Sequence, residues 1–358
     1  MIEPDIPGPP ATRHDPSAIR LRPARPGDLP ACVGVWHAGL SEYGVRVGRP
    51  PMPPTFGPLL GLLGHLLATD PGGFWVAVTN EPVATAAEPD GGTGATAAEA
   101  NGEPGTTTAD GAGTAGPIVA FASALRREHV WFLSMLFVEP AHQDRGLGRR
   151  LLARVLEGAG DATHATCTDS AQPISNALYS RFGIVPRLPV LELVGRPEHS
   201  VPGLPGAVRA VPFEVLRAGP TDGAGARRLA AAIERLDRAT LGYAHPQDHA
   251  YLAAQGRLGY LYEAGDGTPI GYGYASEVGR LGPVAVADAA LMGPVMGHLL
   301  GSVRPAGAFS AWVPGSAGAA VTTLLAAGLR LEDFPALLCW DHPFADFERY
   351  VPITLAVL

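Results

Sequence analysis

Cysteine is scarce in this 358-residue chain. There are three, Cys32, Cys167 and Cys339, far apart and with no CxxC pair. That pattern supports neither a zinc ribbon nor a disulfide framework. A basic excess is also missing. The chain carries 26 Lys and Arg against 34 Asp and Glu, a formal net charge of −8, whereas nucleic-acid-binding proteins usually show a basic face. No apolar run reaches the roughly 18 residues needed to cross a bilayer. The opening stretch, MIEPDIPGPPATRHDPSA, lacks the basic start and apolar centre of a signal peptide. The expectation is a cytoplasmic monomer or homodimer with no nucleic-acid and no membrane partner. What is present is apolar. Hydrophobic residues make up 46% of the chain, enough for sizeable cores, and the length suits two domains.

Residues 1–18 read as a loose tail. Ile19–Pro23 reads as a strand. Asp28 then caps a helix to about Ala38, with Pro30 in its first turn. A second helix fits Pro58–Ala68. Strands follow at Phe74–Val78, Ile118–Leu125 and Val130–Val138, the last two joined by a turn at Arg126–His129. Between the first two of these lies Glu81–Gly116, made of small, polar and acidic residues with no basic or aromatic one. Such a segment buries too little apolar surface to offset its ordering entropy, and is expected to be a disordered insertion at a hairpin tip. A helix to about Glu157, a strand at His164–Thr168, a helix over Pro173–Phe182 stopped by Gly183, and a strand at Val190–Val194 complete a unit over 19–196.

Residues 197–206 read as a linker, and 207–358 as a second unit repeating the same order. Its strands are expected at Val208–Val211, Leu258–Glu263, Ile270–Ala275, Gly282–Ala287 and Ala308–Val313, with a last one at Pro352–Leu358. Its helices are expected at Ala224–Thr240, Gln247–Ala254, Ala289–Ser302 and Ser316–Ala327, the last stopped by Gly328.

The stretch Leu133–Leu152, LSMLFVEPAHQDRGLGRRLL, carries the chemistry. An apolar strand closes at Glu139-Pro140, turns through Gln143-Asp144-Arg145-Gly146-Leu147-Gly148, and enters a helix. A helix entered this way leaves its first N–H groups free. Glycines at 146 and 148 remove side chains from that backbone. The result is an anion cradle at the positive end of a helix, with Arg145, Arg149 and Arg150 adding charge suited to phosphate.

This wording, Leu136-Phe137-Val138-Glu139-Pro140 followed by Gln143-x-x-Gly146-x-Gly148, resembles the acetyl-CoA signature of the GCN5-related N-acetyltransferases (GNAT). A second match, Gln172-Pro-Ile-Ser-Asn-Ala-Leu-Tyr179-x-x-x-Gly183, resembles the family's Asn-x-x-Ala-x-x-Leu-Tyr helix. The resemblance implies an α/β fold of two tandem GNAT-like domains, each a mixed, mostly antiparallel sheet flanked by helices. It implies acetyl-CoA as co-substrate, no metal, and a primary amine of a small molecule or peptide as acceptor. The pantetheine arm would pair with Leu136, Phe137 and Val138. The pyrophosphate would sit on the N–H groups of Asp144, Arg145, Gly146, Leu147, Gly148 and Arg149, after Gln143. Tyr179 would be the general acid, and Gln172 would stand where the family often has Asn. In the second unit the corresponding stretch, Asp288 to Gly297, lacks the glycine spacing and any basic residue, and Leu324 replaces the tyrosine. That unit is expected to keep the fold without binding CoA.

The general base is open. The strand Val130–Met135 holds no carboxylate. Glu128, His129 and Asp169 are candidates, each also readable as a turn residue. Trp36, Tyr43 and Trp131 are candidates for an acceptor pocket. His245 and His249 have the i,i+4 spacing of two metal ligands, but with no third ligand evident they read as a helix start with Pro246. The alternative to catalysis is a non-catalytic acyl-CoA-binding or regulatory module.

Overall fold

Four strands rich in β-branched and aromatic residues begin the first half: β1 (Ile19–Pro23), β2 (Phe74–Thr79), β3 (Ile118–Arg127) and β4 (Val130–Val138). Each pairs antiparallel with the next. The computed structural model describes residues 19–50, 52, 57–80, 116–218, 223–332 and 334–358. Both faces of the sheet are covered, which is why β3 is buried from Val119 to Leu125 rather than alternating. Val76, Val78 and Phe121 pack with helices α1 (Leu29–Arg46) and α2 (Gly57–Thr69). Ala77, Ala120 and Ala122 pack with α3 (Leu147–Leu156), whose Leu147, Leu151, Leu152 and Val155 form one apolar stripe.

The next strand, β5 (Thr163–Asp169), runs parallel to β4 but pairs with it only from Val130↔Thr163 to Leu133↔Thr166. There β4 bulges. Leu133 faces Ala124 and Met135 faces Ser123, so Ser134 is the extra residue. A bulge bends the strand that carries it. Beyond Leu133 the two strands therefore diverge and leave a wedge-shaped opening.

Helix α4 (Pro173–Ser180) and strand β6 (Val185–Gly195) end the first half. The second half is β7 (Arg209–Pro212), α5 (Phe213–Arg217), α6 (Ala224–Thr240), α7 (Pro246–Ala254), β8 (Leu258–Glu263), β9 (Pro269–Ala275), β10 (Leu281–Val286), α8 (Met292–Ser302), β11 (Phe309–Pro314), α9 (Gly318–Ala326), β12 (Arg330–Leu331), β13 (Ala336–Trp340) and β14 (Tyr350–Val351). The same order is thus repeated. The repeats are not separate sheets, however. Strand β13 of the second half lies between β5 and β6 of the first, antiparallel to both. Strand β6 in turn carries β11 on its other edge. One sheet runs β1-β2-β3-β4-β5-β13-β6-β11, and a smaller one runs β14-β10-β9-β8-β7. A shared core joins α1 and α2 to α6, β8 and β9.

A buried ionic contact also crosses between the halves. Arg127, 3% exposed, donates from Nε and Nη2 to Asp248 at 2.8 and 2.9 Å and from Nη1 to Asp70 at 2.8 Å. His65 lies 2.6 Å from the same Asp248 carboxylate. The bidentate fork fixes α7 against the β3–β4 hairpin.

Two expectations need correction. Asp28 does not cap α1. Its carboxylate accepts two hydrogen bonds from Arg22, at 2.6 and 2.7 Å, and one from the Arg25 N–H; the helix runs on to Arg46. Residues 352–358 form no strand. Ile353, Val357 and Leu358 are buried in the shared core, and the terminal strand is Tyr350–Val351. Residues 81–115, expected to be disordered, lie outside the described residues. Their flanks do meet as a hairpin requires, with Val78 opposite Ile118 and the Thr79 N–H donating to the Pro117 carbonyl at 3.1 Å.

The exchanged strand makes the halves interdependent. A fragment ending at residue 206 would lose β13 from between β5 and β6 and β11 from the far edge, exposing long unpaired strand edges. Size-exclusion chromatography is expected to find that fragment aggregated or misfolded. A monomeric fragment with a cooperative melt would show that the first half folds alone.

Candidate active site

The diverging ends of β4 and β5, the β4–α3 turn and α4 enclose a cleft of about 970 Å³. Its wall includes Leu136, Phe137, Val138, Gln143, Asp144, Gly146, Leu147, Gly148, Arg149, Gln172 and Tyr179. Every residue expected to bind acetyl-CoA or to act as general acid is thus brought to one place, except Arg145. That side chain is exposed and outside the wall. Arg150 also points elsewhere, donating to the Ile19 carbonyl at 3.0 Å.

The turn achieves its shape through left-handed backbone. Asp144 has φ 59° and Gly146, the residue before α3, has φ 72°. The Arg150 N–H bonds the Gly146 carbonyl at 3.1 Å, so the N–H groups just ahead of it precede the helical ladder. Gln143 holds the turn to the strand, donating from Nε2 to the Val138 carbonyl at 3.0 Å. Gly148 lies against β4, and a Cβ there would already meet Leu136 at 3.4 Å. The end of β4 on its wedge side offers main-chain groups that β5 does not take up, because their pairing stops at Leu133.

Polar atoms without partners mark where a ligand would be held. Gln172 Oε1 and Ser134 Oγ are buried, unbonded and on the cleft wall. Such groups carry a desolvation cost until something pairs with them. Asn176, by contrast, is off the cleft wall; its Nδ2 donates to the carbonyls of Gln172 at 2.8 Å and Asp169 at 3.1 Å, while its Oδ1 has no partner. Burial pushes the Tyr179 phenol well above its usual value, partly opposed by a hydrogen bond to Ser175. It therefore stays protonated, and a donor, at working pH. Burial also pushes the Cys167 thiol well above its ordinary range, with Cys339 nearby adding to it. A thiol held in that form is a poor nucleophile.

The base candidates separate cleanly. Glu128 sits at the hairpin tip remote from the cleft, bonded to Arg238 at 2.7 Å and to the Ala244 N–H at 3.3 Å. His129 packs edge-on to Tyr243. Neither lines the cleft. Asp169 does. Its carboxylate accepts from the Ala171 N–H at 2.9 Å and lies 3.4 Å from Arg49. It also helps burial raise the phenol of Tyr43 beside it. Trp36 and Tyr43 line the cleft, but Trp131 is 3% exposed and packed on His164 in the core.

Sequence reasoning missed the residues that reach this cleft from the second half or through the exchanged strand. Glu192 of β6 accepts from Ser310 Oγ at 2.8 Å, with Arg280 at 3.4 Å. Trp312 and the terminal Thr354–Ala356 complete that wall. No local signal betrays them, since their approach depends on which strands pair.

The second half has the same wedge, but it is filled. Strand β10 carries a one-residue bulge and is not paired with β11 along its length; the one bridge between them among the described residues, Arg280↔Ser310, lies just ahead of β10. The chain's own β14 then pairs into the gap, Val284 with Val351 and Ala285 with Tyr350. At the turn into α8, Asp288 accepts from the Ala290 N–H at 2.9 Å, placing a carboxylate where the first half has an open backbone. A Cβ at Gly293 would lie 2.8 Å from Thr323 Oγ1, so the helix start is packed.

Residues 52–184 match the model of the acetyltransferase (GNAT) family. The whole fold is similar to a Pyrococcus horikoshii protein assigned as an acetyltransferase, at 14% identity and a TM-score of 0.65, over 97% of this chain and 99% of that one. It is also similar to a GCN5-related N-acetyltransferase from Sphaerobacter thermophilus, at 16% identity and a TM-score of 0.58, over 93% of this chain and 99% of that one. At these identities the likeness is one of fold, and it spans both halves. No curated protein matches the chain.

The left-handed turn yields a direct test. Gly146→Val puts a β-branched side chain at φ 72°, which is expected to cost about 1–3 kcal/mol in urea unfolding with a single cooperative transition retained. An unchanged midpoint would mean that the turn adopts another conformation in solution.

Proposed function

We propose that the chain moves an acetyl group from acetyl-CoA to a primary amine of a small molecule or peptide, a reading supported by the match of residues 52–184 to the model of the acetyltransferase (GNAT) family. The observation that carries this reading is the convergence of three features on one cleft: the β4–β5 wedge, the left-handed glycine turn and a protonated tyrosine. A pantetheine arm fits the unpaired edge of Leu136–Val138 as an added strand would. A pyrophosphate fits the turn at Asp144–Arg149. The orphaned Gln172 Oε1 suits an amide N–H of the arm.

Transfer then needs a neutral amine, a polarised carbonyl and a proton for the leaving thiolate. The amine nitrogen attacks the thioester carbon, and the C–S bond breaks as the tetrahedral centre collapses. Asp169 receives the amine proton, directly or through one water. The Tyr179 phenol supplies the proton taken by the thiolate. The state of Cys167 supports direct attack rather than an acylated enzyme. The sequence contains no lysine, so no lysine side chain of its own serves as acceptor.

Steady-state kinetics across an amine panel tests this. Tyr179→Phe keeps the ring and is expected to lower kcat while leaving the acetyl-CoA dissociation constant nearly unchanged. A positioned acid typically contributes ~10²–10⁴-fold, and the low end is expected because water is a partial substitute. Asp169→Asn is expected to lower kcat more at low pH than at high pH, where the amine arrives neutral. Full turnover by both variants would remove these roles. Tight binding of acetyl-CoA by the wild-type chain with no CoA release on any amine would assign it as an acyl-CoA-binding module.

A further inference from the structure

Helices α6 and α7 bring three metal-ligand side chains together in the second half, far along the chain from the cleft. Asp237, His245 and His249 are 1%, 0% and 7% exposed. One donor atom from each lies within 4.8 Å of the others. His249 Nε2 is 3.1 Å from Asp237 Oδ2, and His245 Nε2 is 3.5 Å from Asp237 Oδ1. In a tetrahedral zinc site with bonds of 2.0–2.1 Å, donors stand about 3.3 Å apart. Among the described residues no other group of three such side chains meets this spacing.

The outer contacts match those of ligands held for a metal. Both imidazoles turn Nε2 toward Asp237 and Nδ1 away from it. His249 Nδ1 is 2.8 Å from the Tyr274 hydroxyl. His245 Nδ1 is 3.5 Å from Asp248, which Arg127 and His65 hold in place. Tyr272 donates to Asp237 Oδ1 at 2.5 Å. His249 thus has on its second nitrogen the kind of partner that metal-bound histidines generally have.

Two features of the protein alone are unsatisfied. Neither ring nitrogen of the fully buried His245 makes a hydrogen bond. It does not cap α7 either: its side chain makes no capping bond, and only its backbone carbonyl accepts, from Asp248 and His249. In addition, Arg127 is paired with Asp70 and Asp248, whereas buried Asp237 faces the two imidazoles and the Tyr272 hydroxyl and, among the described residues, no guanidinium. With both imidazoles neutral, a divalent cation would supply the positive charge that the Asp237 carboxylate lacks. Beyond Asp237 and His249 lies a cavity of about 260 Å³, which leaves room for a water as fourth ligand.

We propose that Asp237, His245 and His249 bind one zinc ion, whose fourth position opens on this cavity. Two imidazoles and a carboxylate, with water in the fourth position, are a donor set that zinc sites use. Spacing in the sequence offers no third ligand, because Asp237 lies on the preceding helix and is aligned only by the fold.

The test is made on the full chain, incubated with zinc chloride, desalted, and analysed by elemental mass spectrometry. One zinc per chain is expected. Asp237→Asn and His245→Gln, which conserve shape, are expected to retain less than a tenth of that while keeping the wild-type circular dichroism spectrum. Replacement by Co²⁺ covers the case in which the variants fail to fold: the wild-type chain should show the intense d–d absorption of tetrahedral cobalt, and excess zinc should abolish it. Sub-stoichiometric zinc, equal zinc in folded variants, or only the weak absorption of octahedral cobalt would overturn the proposal. His245 would then be an imidazolium held between Asp237 and Asp248.

Discussion

The placement of β13 between β5 and β6 is the constraint on which the molecule depends. Main-chain hydrogen bonds on both edges of that strand tie the two halves at the centre of one sheet. The consequences reach the cleft. Cys339 of β13 joins the core cluster that packs Tyr179. Strand β6, displaced one place outward, is thereby able to pair with β11 and to present Glu192 beside Ser310 and Arg280. Part of the cleft wall therefore comes from sequence more than a hundred residues away. The Arg127 fork to Asp248 secures the opposite side of the same junction.

The two halves use one geometric device with opposite outcomes. In each, a bulge bends the fourth strand away from the fifth and opens a wedge. What occupies the wedge decides its chemistry. In the first half it is continuous with a turn of left-handed residues and an uncapped helix start, a setting suited to an extended thioester with phosphates at one end. In the second it holds β14, and the helix start is met by the Asp288 carboxylate and by Thr323. A duplicated fold thus presents one open cleft among the described residues, with the other copy serving as wall and brace.

Much of this was legible in the sequence, for identifiable reasons. The strands and helices follow from apolar periodicity and stop residues such as Gly183 and Gly328, both of which have positive φ. The glycine turn is legible because only a few residue types permit that backbone. The position of β13 was not, since an apolar pentapeptide carries no mark of which edges it will join. Asp169 was one of three base candidates, and only the direction of the wedge separates it from Glu128 and His129. The His245–His249 spacing was visible, but its partner Asp237 was not, because helix packing rather than spacing brings it near.

The claim on which the account turns is that one wedge is open and the other is filled. Isothermal titration of the full chain with acetyl-CoA measures this most directly. The account predicts one site per chain, with heat abolished or strongly reduced in a variant whose glycine turn is blocked at Gly146. Two equivalent sites per chain, or unaltered binding when that turn is blocked, would contradict it.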